Sequence, residues 1–307
     1  GLATVPVKFG IDWAGFPYSV LVSIFPDGSV TIEHGGVEIG QGIHTKVIQV
    51  CAAKFGIPMD MVNVVPTGTV VTANSQSTGG SITSEICCHG VEKCCDILLE
   101  RIQDITGDTW QERIVKAAAS LVDLTARYWS YPGGESEHTY QYFCYGTSCV
   151  EVELDVLTGN RQVNRVDILY DCGESTNPEV DIGQIEGAFI MGLGYYYSEH
   201  LKYDPDTGEN LSASILDYHL PVSKDIPVDF RVSLLKNAYN PLGIMGTKAV
   251  AEPPLCFSIG LLLALKNAIE AARAESQTTG YFKMDAPATV DLTQPFCLND
   301  ISQYVLT

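Results

Sequence analysis

Four short segments carry residues whose types and spacing could do chemistry. In Gly246-Thr247-Lys248-Ala249-Val250-Ala251-Glu252-Pro253-Pro254, a carboxylate stands directly before two prolines. Proline restricts the residue before it to extended backbone, so Glu252 is expected on a stiff strand as a positioned general base. Gly40-Gln41-Gly42 offers close backbone approach and an amide that both donates and accepts. Ser77-Thr78-Gly79-Gly80-Ser81-Ile82-Thr83 combines small residues with hydroxyl donors. In Asp181-Ile182-Gly183-Gln184-Ile185-Glu186-Gly187, Gln184 lies where a side chain near a helix start reaches a ligand. The first three segments precede helices, whose unpaired N–H groups and dipole favour a phosphate or other polar cofactor group. Each also has a plainer reading: a tight turn, a flexible loop with a cap, a glutamate facing a helix dipole, a surface amide.

The elements that must position these segments follow from periodicity. Ser19–Phe25 and Ser29–His34 alternate around Pro26-Asp27-Gly28, which predicts a hairpin. Helices are expected from Ile43 to Phe55, from Thr83 to Ile102 with Ser84 as a candidate cap, and from Trp110 to Leu121. Phe143–Asp155 and Arg161–Asp171 form a second hairpin, and Asp229–Leu235 a further strand. Helices return at Asp181–Tyr197 and Cys256–Ala274, the first with glycines at 183, 187, 192 and 194 that admit a neighbouring backbone. The residues after Gly280 show little pattern. Strands and helices mix without a βαβ beat, so the fold class is α+β. The expected organisation is one unit over 1–290, in two lobes of about 1–140 and 141–290, followed by a tail at 291–307.

Composition narrows the function. The 307 residues hold 18 Lys+Arg against 37 Asp+Glu, a net charge of −19, which repels nucleic acid and anionic membranes. No run of 18 uncharged apolar residues suggests a membrane span, and Gly1–Val5 lacks the marks of a signal peptide. Ten cysteines, two pairs of them adjacent at 87–88 and 94–95, show no zinc or redox spacing. They read as small buried apolar residues of a reducing compartment, so cytoplasmic localisation is expected, with peroxisomal or secreted placement left open; one sequon at Asn210-Leu211-Ser212 is weak evidence for secretion. The histidines at 34, 44, 89, 138, 200 and 219 are scattered and suggest no metal-ligand set.

Taken together and in order, the motifs resemble the C-terminal molybdenum-cofactor-binding domain of the xanthine oxidase and aldehyde oxidase family. The match is carried by His34-Gly35-Gly36 through Gly40-Gln41-Gly42 with Thr45-Lys46, by Gly79-Gly80-Ser81, by Asp181 to Phe189, and by Lys248 to Leu255. It spans roughly residues 1–290. Asp171-Cys172-Gly173-Glu174-Ser175, Tyr203 to Glu209 and Pro253-Pro254-Leu255-Cys256 resemble the insect-type aldehyde oxidases within it.

The resemblance implies a molybdopterin cofactor whose molybdenum is held through the pterin, with no protein metal ligand. It implies oxidation of an aldehyde to a carboxylic acid with water as oxygen source, Glu252 acting as a buried general base at Mo–OH. Gly40, Gln41, Gly80, Ser81, Thr83 and Gln184 fall on cofactor-lining positions, and Trp13 on an aromatic that packs against substrate. Ala251 departs from the family, which commonly has Gly there. FAD, 2Fe-2S clusters and the first molybdenum subdomain are expected on other parts of the enzyme, along with a small aldehyde or heteroaromatic substrate and a homodimer. Two other readings stand beside this one: a xanthine dehydrogenase-type purine hydroxylase, and a retired enzyme domain with a structural or storage role.

Overall fold

A computed structural model describes residues 1–13, 16–131 and 140–298. His138 and the end of the expected tail lie outside the described residues. Helices and strands are mixed, as the α+β reading expects, in two four-stranded sheets.

The first sheet has the order β1 (Leu2–Ile11), β6 (Tyr142–Leu154), β7 (Arg161–Tyr170) and β8 (Asp229–Leu234). β1, β6 and β7 pair antiparallel, and β8 joins β7 in parallel. The second sheet has the order β4 (Val62–Val64), β3 (Val30–His34), β2 (Tyr18–Ile24) and β5 (Thr125–Ser130). The predicted hairpin is β2–β3, with Ile24 opposite Val30. Because β1 pairs with β6 along its whole length, the two lobes are not contiguous stretches of sequence. The N-terminal strand belongs to the sheet built by residues after 141, across the expected division at 140/141.

Helices α1 (Ile43–Phe55) and α2 (Thr83–Arg101) pack together, and α2 lies across β2 and β5. The buried face of α2 carries Cys87, Cys88, Val91, Cys94, Cys95 and Leu98. Burying Val91 and Leu98 contributes about 2 kcal/mol each. The adjacent cysteines are core residues, and Cys95 Sγ lies 3.9 Å from Cys51 Sγ of α1 as a free thiol. Gly90 lets α2 come this close, because a Cβ there would press on Val20 and Ser130. α3 (Trp110–Ala119) flanks this lobe, its Trp110 indole donating to Gly28 O at 2.8 Å.

α5 (Ile259–Glu275) packs on β1 and β6 through Gly260, Leu261, Ala264, Leu265 and Ile269. Residues 253–275 are long and apolar enough to cross a membrane by length and composition alone. Here α5 turns its apolar face onto the first sheet. α4 (Pro178–Tyr197) starts at Asn177, whose side chain accepts from Val180 N–H, and joins α5, β8 and the turn at Pro253–Ser258. Phe282 and Cys297 are buried, and a short helix, Val290–Thr293, runs across the expected boundary at 290/291.

Candidate functional site

The three loops and the first half of α4 meet around one cavity of about 420 Å³. Gly40, Gln41, Gly80, Ser81, Thr83, Gln184 and Glu252, far apart in sequence, all line it. Gly183 and Gly187 are four residues apart and so share a helix face. A Cβ at either would meet no atom within 4 Å, so α4 presents bare backbone to the cavity. The close-contact role expected of the α4 glycines holds instead for Gly192, against Ser258, and Gly194, against Glu199 and Pro221.

The start of α1 is already occupied by the chain's own acid. Glu38 Oε1 accepts from the N–H groups of Gly40 and Gly42, both at 3.0 Å, and Oε2 accepts from His44 N–H at 3.2 Å. Burial alone would raise the Glu38 pKa. The His44, Gly42 and Gly40 amides outweigh it and hold the carboxyl below its ordinary value. Gln41 closes the same loop, taking Ile39 N–H on Oε1 at 2.7 Å and giving Nε2 to Val37 O at 2.8 Å. Gln184 Nε2 donates to Gly40 O at 3.2 Å and ties α4 to it. Sequence reasoning missed Glu38. The available signal was an acid just before a helix start, where N–H donors gather.

The start of α2 is built from hydroxyls. Thr83 Oγ1 accepts Gly79 N–H at 3.1 Å and meets Tyr18 Oη at 2.9 Å, while Tyr18 donates to Ser77 O at 2.8 Å. Ser84 is therefore not the cap. Ile82 precedes the helix already in helical conformation, and the hydroxyl of Thr83 reaches back into the loop. Ser81 is left-handed, with φ 58°, and its Oγ accepts Glu252 N–H at 2.7 Å.

That bond places Glu252 beside the α2 loop, but not on extended backbone. Its φ of −74° and ψ of −39° are helical, because it opens the 3-10 turn Pro253–Ser258. Its side chain is exposed in this chain rather than buried as expected. The preceding residues are stitched to the first sheet. Lys248 Nζ meets Asp171 Oδ2 at 2.5 Å and donates to Phe143 O at 2.9 Å, and Lys248 N–H donates to Cys172 O at 2.7 Å. Tyr170 donates its hydroxyl to Ala249 O at 2.5 Å. A second lysine of the wall, Lys46, is paired with Asp181 at 2.7 Å, and Asp181 also accepts from Ser175.

Trp13 does not line the cavity. Its buried indole stands edge-on to Tyr142 and donates to Glu85 Oε2 at 3.0 Å. Glu85 itself is in the wall and was also missed. Burial pushes its pKa up to about 7, against the hydrogen bonds from Tyr142 and Trp13 and the charge of Lys46. Its signal was slight, since an acid in the first turn of a helix is ordinary.

A family model described as the molybdopterin cofactor-binding domain matches residues 1–227. The chain belongs to that family. Among its relatives, xanthine dehydrogenase/oxidase of Gallus gallus is 37% identical over 318 residues, covering 99% of this chain and 23% of that protein. Xanthine dehydrogenase of Drosophila pseudoobscura pseudoobscura is 40% identical over 304 residues, covering 94% and 23%. Aldehyde oxidase 4 of Rattus norvegicus is 37% identical over 319 residues, covering 99% and 24%. These relatives place the chain in the xanthine oxidase and aldehyde oxidase family, and it spans about a quarter of their length. The same fold occurs in quinoline 2-oxidoreductase from Pseudomonas putida 86, with TM-score 0.82 and 22% identity over 97% of this chain and 41% of that one.

The cavity fits a molybdopterin. The open backbone at Gly40, Gly79, Gly183 and Gly187 leaves room for a flat, polar group against amides. Ser81, Thr83, Gln41 and Gln184 surround that room with hydroxyls and amides. Among the described residues no three His, Cys, Asp or Glu side chains gather as a metal-ligand set.

Proposed function

We propose that this chain forms the cofactor-holding half of the active site of a molybdenum hydroxylase that oxidises aldehydes to carboxylic acids, with water as oxygen source. The convergence of Gly40, Gln41, Gly80, Ser81, Thr83, Gln184 and Glu252 on one cavity carries this reading. The loops before α1 and α2 and the bare face of α4 hold the cofactor. When bound, the molybdenum centre supplies the two-electron sink of the reaction.

Glu252 takes a proton at its carboxylate as the water-derived oxygen attacks the aldehyde carbon. Ser81 fixes the Glu252 backbone, and the Lys248–Asp171 pair fixes the segment behind it. Covering of the exposed Glu252 by the first molybdenum subdomain is part of the proposal, as are FAD and 2Fe-2S clusters on other parts of the enzyme and a homodimeric assembly. The motifs at 171–175, 203–209 and 253–256, which resemble aldehyde oxidases, favour an aldehyde. The xanthine dehydrogenases among the relatives favour the second reading, a purine hydroxylase.

Glu252→Gln in the assembled enzyme separates base from scaffold. Aldehyde turnover is expected to fall at least roughly hundredfold, the usual contribution of a general base, with molybdenum retained. Turnover within a few-fold of wild type would remove Glu252 from the reaction. Turnover of xanthine but not benzaldehyde by the wild-type enzyme would select the purine reading.

A further inference from the structure

From the end of β8 to the turn Pro253–Ser258 the chain forms no more than the short 3-10 turn Ile244–Gly246. It passes through left-handed backbone at Met245, φ 52°, and Gly246, φ 82°. A stretch without a ladder of its own is held in place by individual bonds. Two of them converge on the backbone of one residue. Tyr142 of β6 accepts Ala249 N–H on its Oη at 3.0 Å, and Tyr170 of β7 donates its hydroxyl to Ala249 O at 2.5 Å. Cys144 Sγ donates to the same oxygen at 3.4 Å. Tyr142 is itself aimed, because its proton goes to Glu85 Oε2 at 2.6 Å and leaves an oxygen lone pair for Ala249. Both tyrosines are buried. Phenylalanine would fill the same space without a hydroxyl that is costly to bury unless bonded. Burial raises the pKa of both phenols, so each keeps the proton these bonds need. Ala249 lies three residues before Glu252, whose own N–H is fixed on the far side by Ser81.

We propose that Tyr142 and Tyr170 are positioning residues for Glu252: they clamp the Ala249 backbone at its N–H and at its C=O, and so set where the Glu252 carboxylate lies in the cavity wall. This rests on the reading of Glu252 as the general base. Neither tyrosine lines the cavity, so both act through this segment rather than on a bound group. Such a clamp adds nothing to substrate affinity. It counts when the proton moves, so its loss lowers kcat and leaves KM.

The test uses the molybdenum-loaded full-length enzyme with benzaldehyde. Tyr170→Phe removes one oxygen and should lower kcat about fivefold, the worth of one hydrogen bond, with KM and molybdenum content unchanged. Added to Glu252→Gln, the same substitution should change the residual kcat by less than about twofold, because the group it positions is gone. A core loosened as a whole would slow both backgrounds alike, so an equal fall in both would overturn the proposal. So would an unchanged kcat in Tyr170→Phe where Glu252→Gln has lowered it. Hydrogen exchange separates the clamp from the chemistry. The Glu252 amide should exchange about fivefold faster in Tyr170→Phe, and unchanged exchange would overturn the proposal whatever the turnover. Faster exchange beside near-wild-type turnover of Glu252→Gln would leave the clamp standing and remove the base reading alone. Should Tyr170→Phe fail to accumulate, Tyr142→Phe takes the same readings. In wild type, the Ala249 amide should exchange at least about a hundredfold more slowly than in an unfolded peptide. Exchange at the unfolded rate would overturn the clamp without any variant.

Discussion

Helices α1 and α2 both begin at the cavity behind glycine-bearing loops, and their ends are filled in opposite ways. At α1, Glu38 takes three backbone N–H groups, so the positive end of the dipole already has its anion. At α2, among the described residues, no carboxylate takes that place. Hydroxyls of Ser81 and Thr83 arrange the loop, and the first-turn acid Glu85 turns to Trp13 and Tyr142. A glycine loop leading into a helix therefore marks a cavity wall without telling which helix end is free to meet a ligand. The carboxylate within hydrogen-bond reach decides that.

The largest effect should come from emptying the α1 end. Glu38→Ala leaves three amides without their charged acceptor and is expected to cost about 2 kcal/mol of local stability. That corresponds to roughly thirtyfold faster hydrogen exchange at the Gly42 and His44 amides, and unchanged exchange would mean Glu38 is incidental. The contribution also has a pH sign. The folded pKa of Glu38 is depressed, so its stabilisation is present above the ordinary glutamate range and is lost as pH falls through the lower folded value. A smaller effect is expected at the other end. Ser81→Ala removes the acceptor of Glu252 N–H and should cost about 1 kcal/mol of positioning, read as a several-fold fall in kcat/KM for aldehyde. An unaltered kcat/KM would show that the link between the two loops does not place Glu252.

Much of the frame was legible in sequence. The bounds of α1 and the β2–β3 and β6–β7 hairpins follow from periodicity and from turns at Pro26-Asp27-Gly28 and Leu157-Thr158-Gly159-Asn160. β1 was not, because Pro6 argues against a strand. It is tolerated here because β1 is at the sheet edge, where a missing N–H breaks no outer ladder. β4 has three residues and β5 mixes Thr, Arg and Ser with its aromatics, so neither carries a clear period. Among site residues, those in glycine or proline motifs were legible because such backbone is chemically marked. Glu38, Glu85 and the burial of Trp13 were not, since their meaning lies in partners brought together only by folding. The helical backbone of Glu252 likewise overrides the local preference that Pro253 imposes.

The proposed seat of the cofactor is the space beside α4. Gly187→Leu tests it most directly, because leucine suits a helix well and its side chain would extend into a space where even a Cβ meets nothing within 4 Å. The measurement is molybdenum per chain, by elemental mass spectrometry on the assembled enzyme, beside a circular dichroism spectrum. A cofactor seated beside α4 should give a wild-type spectrum with most of the molybdenum lost. A wild-type spectrum with full molybdenum would contradict it and move the cofactor away from this cavity.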